Sequence, residues 1–161
     1  MRIRQDSDVI DDPARELIAL LARFDPAVRT LVREARRKLR RRMPTANELV
    51  YDNARALAIG FSSSERPSDT IVSLAVYARG VNLYFVYGAA LPDPNHLLLG
   101  SGNQGRFVRL ESADMLDRRE IENLLAAAIA EGDTPLPVRG RGRFIIKSVS
   151  PTRRSERRLR R

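Results

Sequence analysis

Apolar and polar positions alternate most clearly over residues 71–88, IVSLAVYARGVNLYFVYG. The two-residue period is that of half-buried strands, and Arg79-Gly80 divides the run into two. Gly80 suits a tight hairpin corner because it takes positive φ at no steric cost. A corner there sets Ala78 opposite Val81, Val76 opposite Leu83, Leu74 opposite Phe85 and Val72 opposite Tyr87, an almost wholly apolar face. The other face carries Ile71, Ser73, Ala75 and Tyr77 against Asn82, Tyr84 and Val86, and is smaller and more polar. Residues 56–62 repeat the asymmetry: Leu57, Ile59 and Phe61 alternate with Ala56, Ala58, Gly60 and Ser62.

Helical spacing appears on both sides of these strands. Asp12-Pro13 is a start signal, with Asp as the cap and Pro pre-organised for the first helical position. Ala14, Leu17, Ile18, Leu21 and Phe24 follow it. Asp25-Pro26 repeats the signal before a stripe of Val28, Leu31, Val32, Ala35 and Leu39 that ends before Met43-Pro44. The opposite side holds Arg29, Arg33, Arg36, Arg37, Lys38, Arg40, Arg41 and Arg42, and is expected to face water or an anion. Short strands are expected at 48–52, 106–110 and 144–149. A third helix is predicted from Asp117, with Glu120 completing a capping box, Ile121, Leu124, Leu125, Ala128 and Ile129 as its stripe, and Gly132 just past its end. The expected fold is α+β: an antiparallel sheet of about five strands, plus an added C-terminal strand, packed with the two N-terminal helices and the third. Leu57, Ile59, Phe61, Leu74, Val76, Leu83 and Phe85 should share one buried face with Leu17, Leu21, Leu31 and Leu39. The domain spans 12–150, between a polar arm at 1–11 and a basic, disordered tail at 151–161.

The 161 residues contain no cysteine, which excludes disulfides, thiolate metal sites and cysteine nucleophiles. The first residues form no apolar leader, and no apolar run nears the ~20 residues that span a bilayer. A cytoplasmic protein without a membrane partner is expected. The net charge of +9 changes meaning once it is located. Ten of the 29 Lys/Arg and one of the 20 acids lie in residues 139–161, so the preceding 138 residues hold 19 of each. The body is neutral. Arg153, Arg154, Arg157 and Arg158 in the tail are candidates for a weak, sequence-independent contact with nucleic-acid phosphates.

Candidate chemistry is sparse. Gly100-Ser101-Gly102-Asn103-Gln104-Gly105 matches G-x-G-x-x-G in letters, but a strand follows it where a dinucleotide site needs a helix. It reads as a glycine turn, or as an anion nest assisted by Arg106 and Arg109. His96, the one histidine, sits in a Pro-Asn loop, and catalysis there would require a serine or carboxylate brought to it by the fold. Asp6, Asp8, Asp11, Asp12 and Glu16 offer oxygen ligands without the spacing of a calcium loop. Tyr77, Tyr84 and Tyr51 beside Ala56, Ala58, Gly60, Ser73 and Ala75 would make a shallow ligand groove. The alanine-rich side of the third helix, or a homodimer contact, would equally cover that face. No cofactor is expected.

The order of these features carries a resemblance. Two N-terminal helices, the Met43-Pro44 junction and a hairpin of the Leu74–Tyr87 kind come first. A Leu98-Leu99-Gly100-x-Gly102 turn, an Arg106-Phe107-Val108-Arg109-Leu110 strand and a helix from Asp117 follow. Over residues 17–129 the chain resembles the YdhG-like family, a domain of unknown function. The resemblance implies a small α+β domain with no established catalytic residues: a non-enzymatic accessory protein for a small ligand or another protein. Tyr77, Tyr84, Gly100, Gly102, Asn103, Arg106 and Arg109 are then the candidate ligand residues. Many relatives carry lysine in the glycine turn, where this chain has Asn103-Gln104. Some carry a frataxin-like iron-chaperone label, a role that rests on acidic helical surface. Here the second helix is basic, which leaves the N-terminal acids for it.

Overall fold

The computed structural model describes residues 13–53 and 55–148. The arm at 1–11 with Asp12, and the tail arginines 153, 154, 157 and 158, lie outside the described residues. Pro13 and Pro26 open α1 (Pro13–Leu21) and α2 (Pro26–Arg42). Asp25 makes no capping bond through its side chain; its carbonyl accepts from the Arg29 N–H at 3.0 Å. The fixed φ of proline is therefore the start signal that operates here. Six strands follow: β1 (Asn47–Asp52), β2 (Leu57–Ser62), β3 (Thr70–Tyr77), β4 (Gly80–Phe85), β5 (Arg106–Leu110) and β6 (Phe144–Ser148), with α3 (Arg119–Glu131) between the last two. They form one sheet in the order β5-β4-β3-β2-β1-β6. Every neighbouring pair is antiparallel except β1 and β6, which run parallel. The fold is α+β, three α-helices on a mixed open sheet.

All three helices lie on one face of that sheet. Leu57, Ile59, Phe61, Val72, Leu74, Val76, Val81, Leu83 and Phe85 join Leu17, Leu20 and Leu21 of α1 and Val28, Val32, Ala35 and Leu39 of α2 in a single core. Leu31 packs at its margin. Ile121, Leu124 and Leu125 of α3 enter the same core, so the alanine-rich side of α3 does not cover the small-residue face. That face carries Leu49, Tyr51, Ala58, Gly60, Ser73, Ala75, Tyr77, Asn82, Tyr84, Phe107 and Arg109, as the cross-strand pairs require.

Two local expectations fail for physical reasons. The hairpin corner is Ala78-Arg79, with Tyr77 paired to Gly80, Val76 to Val81, Leu74 to Leu83 and Val72 to Phe85. A shift of two residues leaves every side chain on its face, so alternation cannot choose between the two registers. The observed one keeps Gly80 in β4 with ordinary φ, and the Arg109 guanidinium occupies the space where a Cβ would stand. At the third helix, Asp117 ends a 3₁₀ turn (Ala113–Asp117), and α3 starts from Arg118 without a side-chain cap. The Asp117 carboxylate accepts instead from Lys38 Nζ at 2.5 Å. Gly132 follows α3 with φ −62°, outside the left-handed conformation expected for it.

The cationic side of α2 is also more engaged than periodicity implies. Glu48, Val50 and Asp52 of β1 share the helix-covered face with Phe61, Ile59 and Leu57, and both carboxylates are buried. Arg36 meets Glu48 in a fork, Nε to Oε2 at 2.6 Å and Nη2 to Oε1 at 3.2 Å. Arg40 reaches Oε1 at 3.3 Å. From the α1–α2 connection Arg23 donates to Asp52 Oδ1 at 2.5 Å and to the Asn53 carbonyl at 3.2 Å. Lys38 and Arg42 pair with Asp117 and Glu122 near α3. A buried charge must be paired in this way or neutralise.

Two stability measurements test the layering. Leu74→Ala should cost ~2–5 kcal/mol in urea unfolding, as for a leucine at the centre of a core; a loss near zero would place Leu74 outside it. Arg36→Met, which leaves Glu48 buried with a reduced set of partners, should cost about 3 kcal/mol. Adding Glu48→Gln to it should recover part of that loss, because the stranded charge is removed.

Candidate functional site

The tyrosines and the glycine turn lie at the β4–β5 side of the uncovered face. Tyr84 pairs with Phe107 and Asn82 with Arg109, while Tyr77 stands at the far end of β3. Tyr77 is 45% and Tyr84 36% exposed. Gly100 and Gly102 take φ of +112° and +98°, as a tight turn of this kind needs. A Cβ on Gly105 would collide with the Tyr84 hydroxyl, so the turn folds against that ring. Arg106 spends its guanidinium on the turn itself, Nη1 to the Gly105 carbonyl at 2.7 Å and Nη2 to the Gly102 carbonyl at 2.9 Å. Its hydrogen bonds thus hold carbonyls rather than complete an anion nest. Asn103 is exposed, and Arg109 Nη2 lies 3.5 Å from the Arg79 carbonyl. The structure gathers Tyr84, the turn and Arg106 at one end of β4 and β5, and sets Arg109 at the other end beside Gly80, the residue that Tyr77 pairs with. Tyr51, on the same face, has a buried hydroxyl without a hydrogen-bond partner, and burial pushes that phenol above its ordinary 10.0.

His96 is exposed, with φ of 54°. Its turn is held by Asp93, whose carboxylate accepts from the Leu97 and Leu98 N–H groups at 2.9 Å each. Among the described residues no group of three or more His, Asp or Glu is placed to hold a metal ion.

A cavity lies under the sheet where β3 starts and β4 ends. It measures about 230 Å³ and is walled by the β2–β3 connection, the ends of β3 and β4, the 3₁₀ turn Gly88–Ala90 and the end of α3. Ile71, Phe85, Leu91 and Ala128 supply apolar wall, and Ser63, Asp69, Tyr87 and Thr134 supply polar groups. Neither Tyr77, Tyr84, Asn103, Arg106 nor Arg109 lines it. Asp69 fastens the walls together. Its Oδ2 accepts from Ser64 Oγ at 2.6 Å and Arg66 Nε at 3.2 Å, and its Oδ1 accepts from Thr134 Oγ1 at 3.1 Å across 65 residues of chain. The Ser64 hydroxyl, with Arg66 and Thr134, outweighs desolvation and holds the Asp69 carboxyl below its ordinary 3.8. Tyr87 donates its phenolic proton to the Ser68 carbonyl at 2.7 Å. Ser63 is 6% exposed, and its hydroxyl has no hydrogen-bond partner.

The groove between α2 and α3 is larger, about 320 Å³, but its charged side chains are occupied with one another through Lys38–Asp117 and Arg42–Glu122. Of these two, among the described residues, the first combines an apolar wall with a buried polar group left unpaired. A sequence signal for it did exist. Glu131 and Asp133 stand at the end of a helix, where the dipole favours cations.

No family model, curated protein or solved structure matches this chain. Among the described residues no helix is long and apolar enough to cross a membrane.

The bonds around Asp69 predict a pH dependence. A carboxyl with depressed pKa contributes stability above the ordinary carboxylate range and loses it as pH falls through its folded value. The stability gap between wild type and Asp69→Asn, measured by urea unfolding, should be full at neutral pH. It should close as pH drops below about 3.8. A gap that persists unchanged in acid would mean that the charge contributes nothing.

Proposed function

We propose that this chain is a non-enzymatic ligand-binding accessory domain of the YdhG-like kind, which seats a small molecule in the cavity beside Asp69. The unpaired hydroxyl of Ser63 carries this reading. A buried polar atom without a partner costs ~1–3 kcal/mol, a cost that a ligand's hydrogen bond would offset. Concave, mostly apolar sites with a few convergent polar groups are the usual form of small-molecule sites. The exposed Tyr77 and Tyr84 on the uncovered sheet face support a protein contact, including one with a second copy of this chain, as a further use of the same domain. The iron-chaperone alternative rests on Asp6, Asp8, Asp11 and Asp12 with Glu16. The nucleic-acid alternative rests on Arg153, Arg154, Arg157 and Arg158.

Ser63→Ala separates a structural hydroxyl from a ligand-directed one. Without ligand the variant should be more stable than wild type by about 1 kcal/mol, because it loses an unsatisfied buried group. In a thermal-shift screen of neutral, anionic and cationic metabolites, hits on wild type should weaken in Ser63→Ala. They should disappear in Ala90→Trp, which places an indole in the cavity mouth. Hits that survive Ala90→Trp would place the ligand elsewhere.

A further inference from the structure

The charge around the cavity is the reverse of the chain's. Asp69, Glu131 and Asp133 line it and no Lys, Arg or His does, in a protein of net charge +9. Arg66 touches Asp69 from outside, with its own side chain 73% exposed, so one cation stands against three carboxylates. The end of α3 adds to this. Ala128, Glu131 and Gly132 belong to the wall, and the last turn of α3 contains no basic side chain. The partial negative charge of a helix C-terminus therefore meets the cavity without a cation to balance it.

The free hydrogen-bonding capacity has the same sense. Tyr87 has already given its proton to the Ser68 carbonyl, so its oxygen has only lone pairs left to offer. Asp69 Oδ1 accepts from Thr134 alone and retains accepting capacity. Ser63 Oγ is free to accept as well, and its own proton can turn to a neighbouring acceptor. An ammonium carries three donors and no acceptor, and a guanidinium five donors and none. Ile71, Phe85 and Leu91 form the apolar remainder, and an aromatic face also attracts a cation.

We propose that the cavity takes a small organic cation: an ammonium or guanidinium head among Asp69, Ser63 and Tyr87, on an apolar body against Ile71, Phe85 and Leu91. This rests on the cavity being a ligand seat, and adds the class of ligand. A bare metal ion is disfavoured because the described carboxylates form no group able to hold one.

The test titrates the full chain calorimetrically with 2-phenylethylammonium, neutral 2-phenylethanol and anionic 3-phenylpropionate. The ammonium should bind about tenfold or more tightly than the alcohol, the scale of one hydrogen bond to a charged group, and the carboxylate should not bind. Asp69→Asn loosens the walls, so the decisive variant is Glu131→Gln with Asp133→Asn, at exposed positions. It should keep the wild-type melting temperature and reduce the ammonium's advantage over the alcohol about two- to fivefold, the scale of exposed ion pairs, while Asp69 still holds the head. Equal binding of alcohol and ammonium, or preference for the carboxylate, would overturn the cation class; loss of that binding in Ala90→Trp would show the seat intact. If none of the three binds while other library compounds do, the class is again wrong and the seat survives. If nothing binds at all, both readings fall.

Discussion

Leu57, Ile59, Phe61, Val72, Leu74, Val76, Val81, Leu83 and Phe85 project from one side of three neighbouring strands, and each is wholly buried. Their partners across the pleat are alanine, glycine, serine, asparagine and two tyrosines. A sheet so weighted draws its helices to one side, because a helix laid on the small-residue face would displace little water from apolar surface; the burial on that face lies at the β1 end, at Leu49, Gly60 and the Tyr51 hydroxyl. That constraint draws α1, α2 and α3 onto the same layer. It crowds their ends around the sheet's margins, where the cavity beside Asp69 forms between the end of α3 and the β2–β3 connection.

The margin nearest β6 is built differently. There two of the three helix-facing positions of β1 are Glu48 and Asp52, and their burial obliges Arg23, Arg36 and Arg40 to stay close. Part of the arginine-rich surface of α2 is thus structural, spent on Glu48 and, through Lys38 and Arg42, on the turn before α3 and on α3 itself. Arg36 also lies over the Phe144 ring at 5.6 Å, which ties α2 to β6. The sheet's outermost strand is held by a cation that serves an acid on its neighbour.

Most of the architecture was legible because burial writes itself into alternation and helical stripes. Where two answers satisfied the same pattern, the pattern could not decide. The hairpin register is such a case, since Leu74 faces the core whether it pairs with Leu83 or Phe85. Cap signals misled for a related reason: Asp25 stands at the cap without a side-chain bond to the helix, and the Asp117 carboxylate binds Lys38 instead. The cavity was hidden by distance. Ser63, Asp69 and Thr134 come from segments that read singly as loops and Tyr87 from the expected end of a strand, and the Asp69–Thr134 and Tyr87–Ser68 bonds bring them to one place. The glycine turn was visible, but the aim of Arg106 was not, because a guanidinium beside glycines can hold an anion or the chain's own carbonyls.

The parallel pairing of β1 with β6 has a consequence for the chain as it emerges during synthesis. β1, β2, β3 and β4 follow one another and can zip together as they appear, but Glu48 meets Phe144, and its N–H reaches the Arg143 carbonyl at 2.8 Å. Until that distant stretch is made, the outer rim of β1 is a row of unclaimed amide groups, the kind of template on which chains stick to one another. Inward-pointing acids make a strand a poor template for a stranger. The arginines that neutralise them all precede β1, so the nascent protein already holds its own counterions while it waits for its last strand.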